Sequence, residues 1–312
     1  MSETQSRKPG SDPPADRRAG AATAAASLPG GEAASAVGPE MEADLGAGRR
    51  ARNLRLVARV AQVLVAVVVL GGWELLVRVG MIDPFFFSRP SDISVRIWEW
   101  VSTGFIFEHL AVTLYEAFLA FVIGAGLGIM LGFALARVPL LALIFDPYIK
   151  MMNAMPRVVL APIFLLWFGL GVWSKVALGV TIVFFVVFFN TYQGVREVDR
   201  VILDNARMLG ASERQLIRHV LIPSALTWIF SSLHVSVGFA IVGAVVGEYL
   251  GASRGAGYLI SQAEGLFDTT GVFAGMAVLM VFASLVLYAV GRLERRLLRW
   301  SPRNAPQLAL PG

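Results

Sequence analysis

Few residues in this chain are of a type that does chemistry, and their spacing limits which chemistry is open to them. Cysteine is absent from all 312 residues, which excludes disulfides, thiolate metal sites and a cysteine nucleophile. The three histidines, His109, His219 and His234, are scattered without a His-x3-His pair, so no metal site is spelled. No nucleophile stands beside a base in sequence, and no catalytic residue is assigned. A phosphate loop needs Gly-Lys-Ser/Thr, yet none of Lys8, Lys150 and Lys175 follows a glycine. Gly255 and Gly257 form a lone Gly-x-Gly, which reads as a structural turn. What remains is a polar series within apolar sequence. Asp146, Lys150, Asn153 and Arg157 share one helical face, and Asp146 can pair with Lys150 at i,i+4. His234 stands among Ser231, Ser232 and Ser236, and Glu248 ends the same apolar run.

The elements that carry these residues are membrane helices. Hydrophobic residues make up 56% of the chain and charged residues only 16%, against roughly 25% in average soluble chains. Mean hydropathy is +0.66. Disorder of the whole chain is excluded, and an all-α integral membrane protein is expected. Apolar runs fall near 58–79, 112–136, 141–170, 173–192, 229–251 and 272–293, which gives about six transmembrane helices at 1.5 Å per residue across ~30 Å of hydrocarbon. The 141–170 run carries Pro147, Pro156 and Pro162 and should be kinked or broken. Residues 1–56 read as a disordered tail with a basic juxtamembrane end, because 1–48 offer almost no large apolar residues. No apolar core precedes about residue 56, so the tail does not read as a signal peptide. A first span at 57–80, a transmembrane domain at 105–297 and a C-terminal tail at 298–312 complete the expected organisation.

Lysine and arginine set the orientation. With a cytosolic N-terminus, the inner segments hold Arg49, Arg50, Arg52, Arg55, Arg59, Arg137, five basic residues in 194–228 and five after 291. The outer side holds Arg78, Arg89, Arg96, Lys175 and Arg254. Sixteen against five places both termini in the cytosol. The basic balance, net +5, is then a topology signal, and no nucleic-acid partner is expected.

Two features inside the runs stay open. Gly124, Gly128 and Gly132 form an i, i+4, i+8 ladder, read as helix packing, with a ligand cleft as the alternative. The face of Asp146, Lys150, Asn153 and Arg157 is either an interfacial stripe of snorkelling side chains or the lining of the inner end of a pathway suited to an anion. His234 is read as a buried histidine with a local hydrogen bond or as a ligand contact. Glu248 is either a solvated outer residue or a partner of a gate loop. His109 and His219 are expected at the surface.

The polar segment 194–228 is patterned. Val198, Ile202, Ala206 and Leu209 form one apolar helical stripe beside Arg196, Arg200, Asp204 and Arg207. Gly210 interrupts the pattern and can supply a positive φ. Ser212 and Gln215 spell a capping box for a second helix, with Leu216, Val220, Ile217 and Leu221 as its apolar face. Pro223 marks its end or its bend into the next membrane helix. Such a loop either lies on the membrane surface or docks a soluble partner.

This segment resembles the cytosolic loop of permease subunits of binding-protein-dependent ABC importers, spelled E-A-A-x3-G-x9-I-x-L-P. Here Asp204, Asn205, Ala206, Gly210, Val220, Ile222 and Pro223 occupy that spacing, with Ala206, Gly210 and Pro223 matching. Asp204, Asn205, Val220 and Ile222 depart from it. The likeness runs from about 105 to 300 and is similar to the nitrate/sulfonate/taurine branch. It includes Pro156-Arg157, Ala161-Pro162, Trp167-Phe168-Gly169, Gly247-Glu248-Tyr249 and Gly255-Ala256-Gly257-Tyr258.

The resemblance implies a type I ABC importer permease-like fold in a bacterial plasma (inner) membrane. The loop would be the coupling element, with Leu209, Leu216 and Val220 meeting an ATPase. Implied partners are a second copy of the chain, two ATPase subunits on the cytosolic side and an extracytoplasmic substrate-binding protein, within the lipid bilayer. ATP and magnesium would sit on the ATPase, and this chain would bind no cofactor itself. The solute would be small and anionic, of sulfonate, taurine or nitrate type, with a thiamin-precursor pyrimidine as an alternative. The rival class is a self-sufficient channel or ion-coupled carrier.

Overall fold

The computed structural model describes residues 33–297, and the tails at 1–32 and 298–312 lie outside the described residues. The described residues are helical: α1 (Ala33–Arg78), α2 (Pro84–Phe87), α3 (Pro90–Ser102), α4 (Phe105–Arg137), α5 (Pro139–Ala154), a 3-10 turn (Arg157–Leu160), α6 (Ala161–Phe168), α7 (Val172–Arg196), α8 (Arg200–Met208), α9 (Glu213–Leu216), a π turn (Ile217–Leu221), α10 (Ile222–Gly251), α11 (Ala256–Gly265) and α12 (Thr269–Leu297). Five spans among them are long and apolar enough to cross a membrane, or six when the bent α5–α6 pair counts as one. The first helix reaches back to Ala33, into the tail expected to be disordered. Ala, Glu, Leu and Arg recur there, and these are strong helix formers.

The 141–170 run is broken, as its prolines require. Pro139 opens α5, where a missing N–H costs nothing. Met155, forced out of the helical region by Pro156, takes ψ 131°. The chain then turns by 89° before α6.

The bundle from Trp73 onward is built around α7, which packs against both α4 and α10. Apart from Ile106 at its start, the buried face of α4 is small or polar: His109, Thr113, Glu116, Ala117, Ala120, Gly124, Ala125, Gly128 and Gly132. Its large side chains, including Phe118, Val122, Leu127 and Met130, point away from the bundle. In a membrane this division is stable, because lipid solvates the large apolar groups while small residues let backbones approach. A Cβ on Gly128 would stand 2.9 Å from the Phe184 carbonyl, and one on Gly132 would stand 2.7 Å from that of Phe188. The glycine ladder is therefore a packing surface against α7. A Cβ on Gly243 would meet Gly179 Cα at 2.5 Å, and one on Gly179 would meet Ala120 Cβ of α4 at 2.6 Å, so the three helices close on one another.

The start of α12 is held separately. Arg96 of α3 pairs with Asp268 at 2.6 Å, and Ser88 and Thr270 hydroxyls lie 2.8 Å apart. Partial burial pushes the Asp268 carboxyl up, but the Gly271 amide and the Arg96 guanidinium outweigh this and hold it below the ordinary carboxylate value.

The packing predicts a contrast. Gly128→Leu overfills the α4–α7 seam and should lower stability by about 1–3 kcal/mol. Gly126→Leu, whose Cβ meets nothing within 4 Å, should be tolerated. Thermal unfolding of the detergent-extracted chain measures both; equal behaviour of the two variants would refute the seam.

Candidate functional site

The loop between α7 and α10 is built from three local devices. Asp199 caps α8 by accepting from the Val201 amide at 2.8 Å. Gly210, at φ 83°, ends α8: its N–H donates to Arg207 O, and the Ala211 N–H donates to Ala206 O, the double bond of a Schellman turn. Ser212 then caps α9, with its hydroxyl and amide both engaged by Gln215 as the spelling required. Pro223 does not end the second helix. It lies at the start of α10, and the π turn joins α9 to α10 without a break in the helical path.

The predicted apolar stripe does not stay on one side: Val198 packs inward, Ala206 is half-buried, and Ile202 and Leu209 are exposed, while Leu203, off the stripe, turns in and Met208 turns out. Val198 and Leu203 pack on a core of Val195, Leu221, Ala225 and Ile229. Met208 and Leu209 are bare, at 86% and 89% exposure. Leu216, expected on the outward surface, is 1% exposed. It lies under the loop because the π turn Ile217–Leu221 shifts the register, so that Leu216 and Leu221, five apart, are both buried. A shallow groove of about 310 Å³ runs between Ala206, Leu209, Gly210, Gln215, His219 and Val220. Asp204 and Asn205 are exposed on α8, Asp204 holding Arg207 at 3.3 Å, and Ile222 is partly exposed at the head of α10. Glu213 reaches both Arg207 and Arg137 at 3.4 Å and so ties the loop to the end of α4.

The six residues expected along a pathway do not form one lining. Asp146 and Lys150 pair at 2.6 Å on α5 and open on a cavity of about 720 Å³ at the loop end, together with Arg137, Arg196, Arg207 and Glu213. Asn153 lies one turn further on. Arg157 falls beyond the helix break, so the four residues do not share one continuous helical face. Its guanidinium reaches back to Asn153 and stands 5.0 Å over the Phe185 ring. His234 is not buried: its side chain is 45% exposed and pairs with Glu294 of α12 at 2.7 Å. It edges an apolar cavity of about 370 Å³ between α4, α10 and α12.

Glu248 belongs elsewhere. It is fully buried, and its Oε2 accepts the Gly257 amide at 2.8 Å. The solvated reading therefore does not hold: Glu248 contacts the turn that follows α10. His109, expected at the surface, is 7% exposed, and its Nδ1 accepts the Gly255 amide at 3.1 Å. Lys175, counted above among outer basic residues, is 1% exposed. Glu116 completes this group at 2% exposure and carried no expectation from the sequence. The signal that could have found it was a lone carboxylate inside an apolar run, on the same helical face as Thr113 and Gly124. His219 is exposed, as expected.

Comparison with known proteins bears directly on these elements. The family described as "Binding-protein-dependent transport system inner membrane component" matches residues 124–299, which include the glycine seam and the whole loop. The putative aliphatic sulfonates transport permease protein of Bacillus subtilis is 35% identical, over 76% of this chain and 86% of its own length. The formylaminopyrimidine transport permease protein of Halalkalibacterium halodurans is 34% identical, over 74% of this chain and 92% of its own. The taurine transport system permease protein of Escherichia coli is 30% identical, over 75% and 86%. A solved structure of an amino acid ABC transporter matches with TM-score 0.52 at 20% identity, covering 64% of this chain and 95% of that one, a likeness of fold. The fold is that of type I ABC importer permeases. The chain belongs to the binding-protein-dependent inner-membrane transport components, as the multi-pass permease subunit of an ATP-driven importer whose ATPase is a separate chain.

Proposed function

We propose that the loop from Glu197 to Pro223 is the surface on which the ATPase docks, and that this contact couples hydrolysis to the membrane helices. The observation that carries the reading is the pair of bare apolar side chains, Met208 and Leu209, beside the Gly210 turn. Apolar groups this exposed on an otherwise charged loop are costly in water and suit a partner surface. Gly210 fixes the angle between α8 and α9, and the Arg137–Glu213–Arg207 contacts pass any displacement of the loop to α4. Arg207, Asn205, Asp204, Met208 and Leu209 form the exposed part of the surface. Leu216 acts beneath it as packing.

The working unit in this reading is two copies of the chain with two ATPase subunits and an extracytoplasmic binding protein. The loop faces the cytosol, as do both termini, in keeping with the excess of Lys and Arg on that side. ATP-driven closure of the ATPase pair draws the loops together and opens the pathway outward; hydrolysis returns it. Reporter enzymes active only outside the cytosol test the orientation: a fusion after residue 265 should be active and one after residue 215 silent. The opposite pattern would remove the coupling role.

The solute in this reading is a small organic anion of the sulfonate or taurine type. Two of the relatives are named for those solutes. Arg137, Lys150, Arg196 and Arg207 against Asp146 and Glu213 leave the large cavity at the loop end net cationic. The formylaminopyrimidine relative supports a pyrimidine as the second reading. Lys150→Gln should lower uptake of a sulfonate several-fold while leaving the assembled complex and its basal ATPase intact. Arg157→Gln should do so less, because Arg157 lies beyond the helix break. Unchanged uptake in both would assign the stripe to the interface alone.

Gly210→Val tests the coupling role directly. A β-branched residue at φ 83° strains the turn by roughly 1–3 kcal/mol or straightens the loop. The glycine has open space around it, so the loss acts through the backbone and the membrane helices should still insert. The variant should reach the membrane in near-normal amounts yet fail to retain the ATPase or to convert hydrolysis into uptake. Normal co-purification with normal uptake would sink the assignment.

A further inference from the structure

At the end of α7 remote from the loop, three helices bury ionisable groups together. Glu116 comes from α4, Lys175 from α7 and Glu248 from α10, at 2%, 1% and 0% exposure. The Lys175 ammonium donates to the carbonyls of Leu170 and Gly171. Glu116 lies one helical turn from Thr113, whose hydroxyl takes the Ala256 amide beside the Gly257 amide that Glu248 takes, so the two carboxyl groups stand at one level of the bundle. Each also has an orphan: Glu116 Oε2 and Glu248 Oε1 are buried with no partner. A buried acceptor without a donor is costly, and carboxylate oxygens are acceptors only.

Two deficits therefore stand at one place. The cluster holds two carboxyl groups against one ammonium, and two acceptors face each other with no donor. A single proton closes both accounts. It turns one carboxyl into an O–H donor for the other, and it leaves one carboxylate to balance Lys175. Like charges held this close and away from water cannot both persist.

The same group holds the turn that follows α10. Three successive amides at the start of α11 are each taken by a side chain of this region: Gly255 by His109 at 3.1 Å, Ala256 by the Thr113 hydroxyl at 2.9 Å, and Gly257 by Glu248 at 2.8 Å. Gly255 sits at φ 115°, and a Cβ there would stand 2.2 Å from Glu248 Cδ. The backbone thus rests directly on the carboxyl. We propose that Glu116 and Glu248 form a buried proton-binding site, and that the proton they share latches the turn 252–257 onto the helix bundle.

Loss of the proton leaves two carboxylates against one ammonium, and their repulsion pushes Glu248 from the position in which it holds Gly257. The turn should therefore loosen on the alkaline side. The other ionisable groups facing the cluster act differently. His109 must keep Nδ1 unprotonated to accept from Gly255, so its protonation loosens the turn on the acid side. Glu108 of α4 and Arg254 of the turn neutralise each other at 2.8 Å. Tyr258 of α11 stacks on the His109 ring at 6.1 Å between centroids.

The test uses the full chain in an ester-free detergent, with glutamate labelled by carbon-13 at the side-chain carboxyl. The infrared spectrum at neutral pH should show the carbonyl stretch of a protonated glutamic acid. That band should disappear on alkaline titration and be missing from Glu116→Gln. Absence of the band at neutral pH overturns the proton site, and this arm needs no variant to fold. The latch is read with a nitroxide on Ser253→Cys, an exposed position in a chain that has no native cysteine. Label mobility should rise as the acid band is lost. In the Glu116→Gln background, where an amide donates in place of the proton, mobility should stay flat over the same range. A flat response in the unmodified background, or the same rise in both, overturns the latch.

Discussion

Mutual close approach of α4, α7 and α10 is the constraint from which the rest follows. In hydrocarbon there is no water to drive helices together, so contact depends on dispersion and on how near two backbones can come. Gly128 and Gly132 rest on α7 carbonyls, and Gly243 rests on Gly179. Large side chains there would hold the helices apart, which is why they are found on the opposite faces. Phe118 and Met130 are about 60% exposed, as lipid or partner contact requires, while Val183 and Val187 are fully buried.

That seam also makes polar chemistry possible inside the bundle. Each glycine contact removes lipid from the space between helices, and the polar atoms left there must be satisfied by one another. Thr113, Glu116, Lys175 and Glu248 lie on the faces the glycines draw together. Their partners are backbone groups of chain reversals, at Leu170–Gly171 and at Gly255–Gly257. Irregular backbone and ionisable side chains are each expensive in a membrane, and here each supplies what the other lacks.

The sequence was most legible where one local rule decided the outcome. The capping box at Ser212, the turn at Gly210, the break at Pro156 and the glycine ladder each depend on a few neighbouring residues, and the structure shows all four. It was least legible where the outcome depended on another helix. Leu216 had the spacing of an outward stripe, but the π turn after it shifts the register and Leu216 faces in. Arg157 had the spacing of a continuous face, but the proline ahead of it redirected the chain. Glu116 sits in a run whose hydropathy hides one carboxylate, and its partners are 59 and 132 residues away in sequence. No pattern within α4 can report them.

Helix α7 joins these two kinds of feature. From Lys175 to Arg196 it spans about 32 Å at 1.5 Å per residue, and it packs against both α4 and α10. Helix α10 runs alongside it from Pro223, next to the loop, to Glu248 in the buried cluster. A rigid pair anchored this way moves as a unit, because packed interfaces switch between arrangements rather than stretch. In the proposed reading, a push on the loop reaches the remote end through these packed helices, where Lys175 and Glu248 meet Glu116 of α4. The carboxyl pair lies across that α4–α10 boundary, and the turn at Gly255–Gly257 is bonded to both sides of it, through His109 and Thr113 on α4 and Glu248 on α10. Any sliding between the two helices must therefore break the pair, the turn's hydrogen bonds, or both, so the energy of the buried cluster becomes part of the barrier to opening.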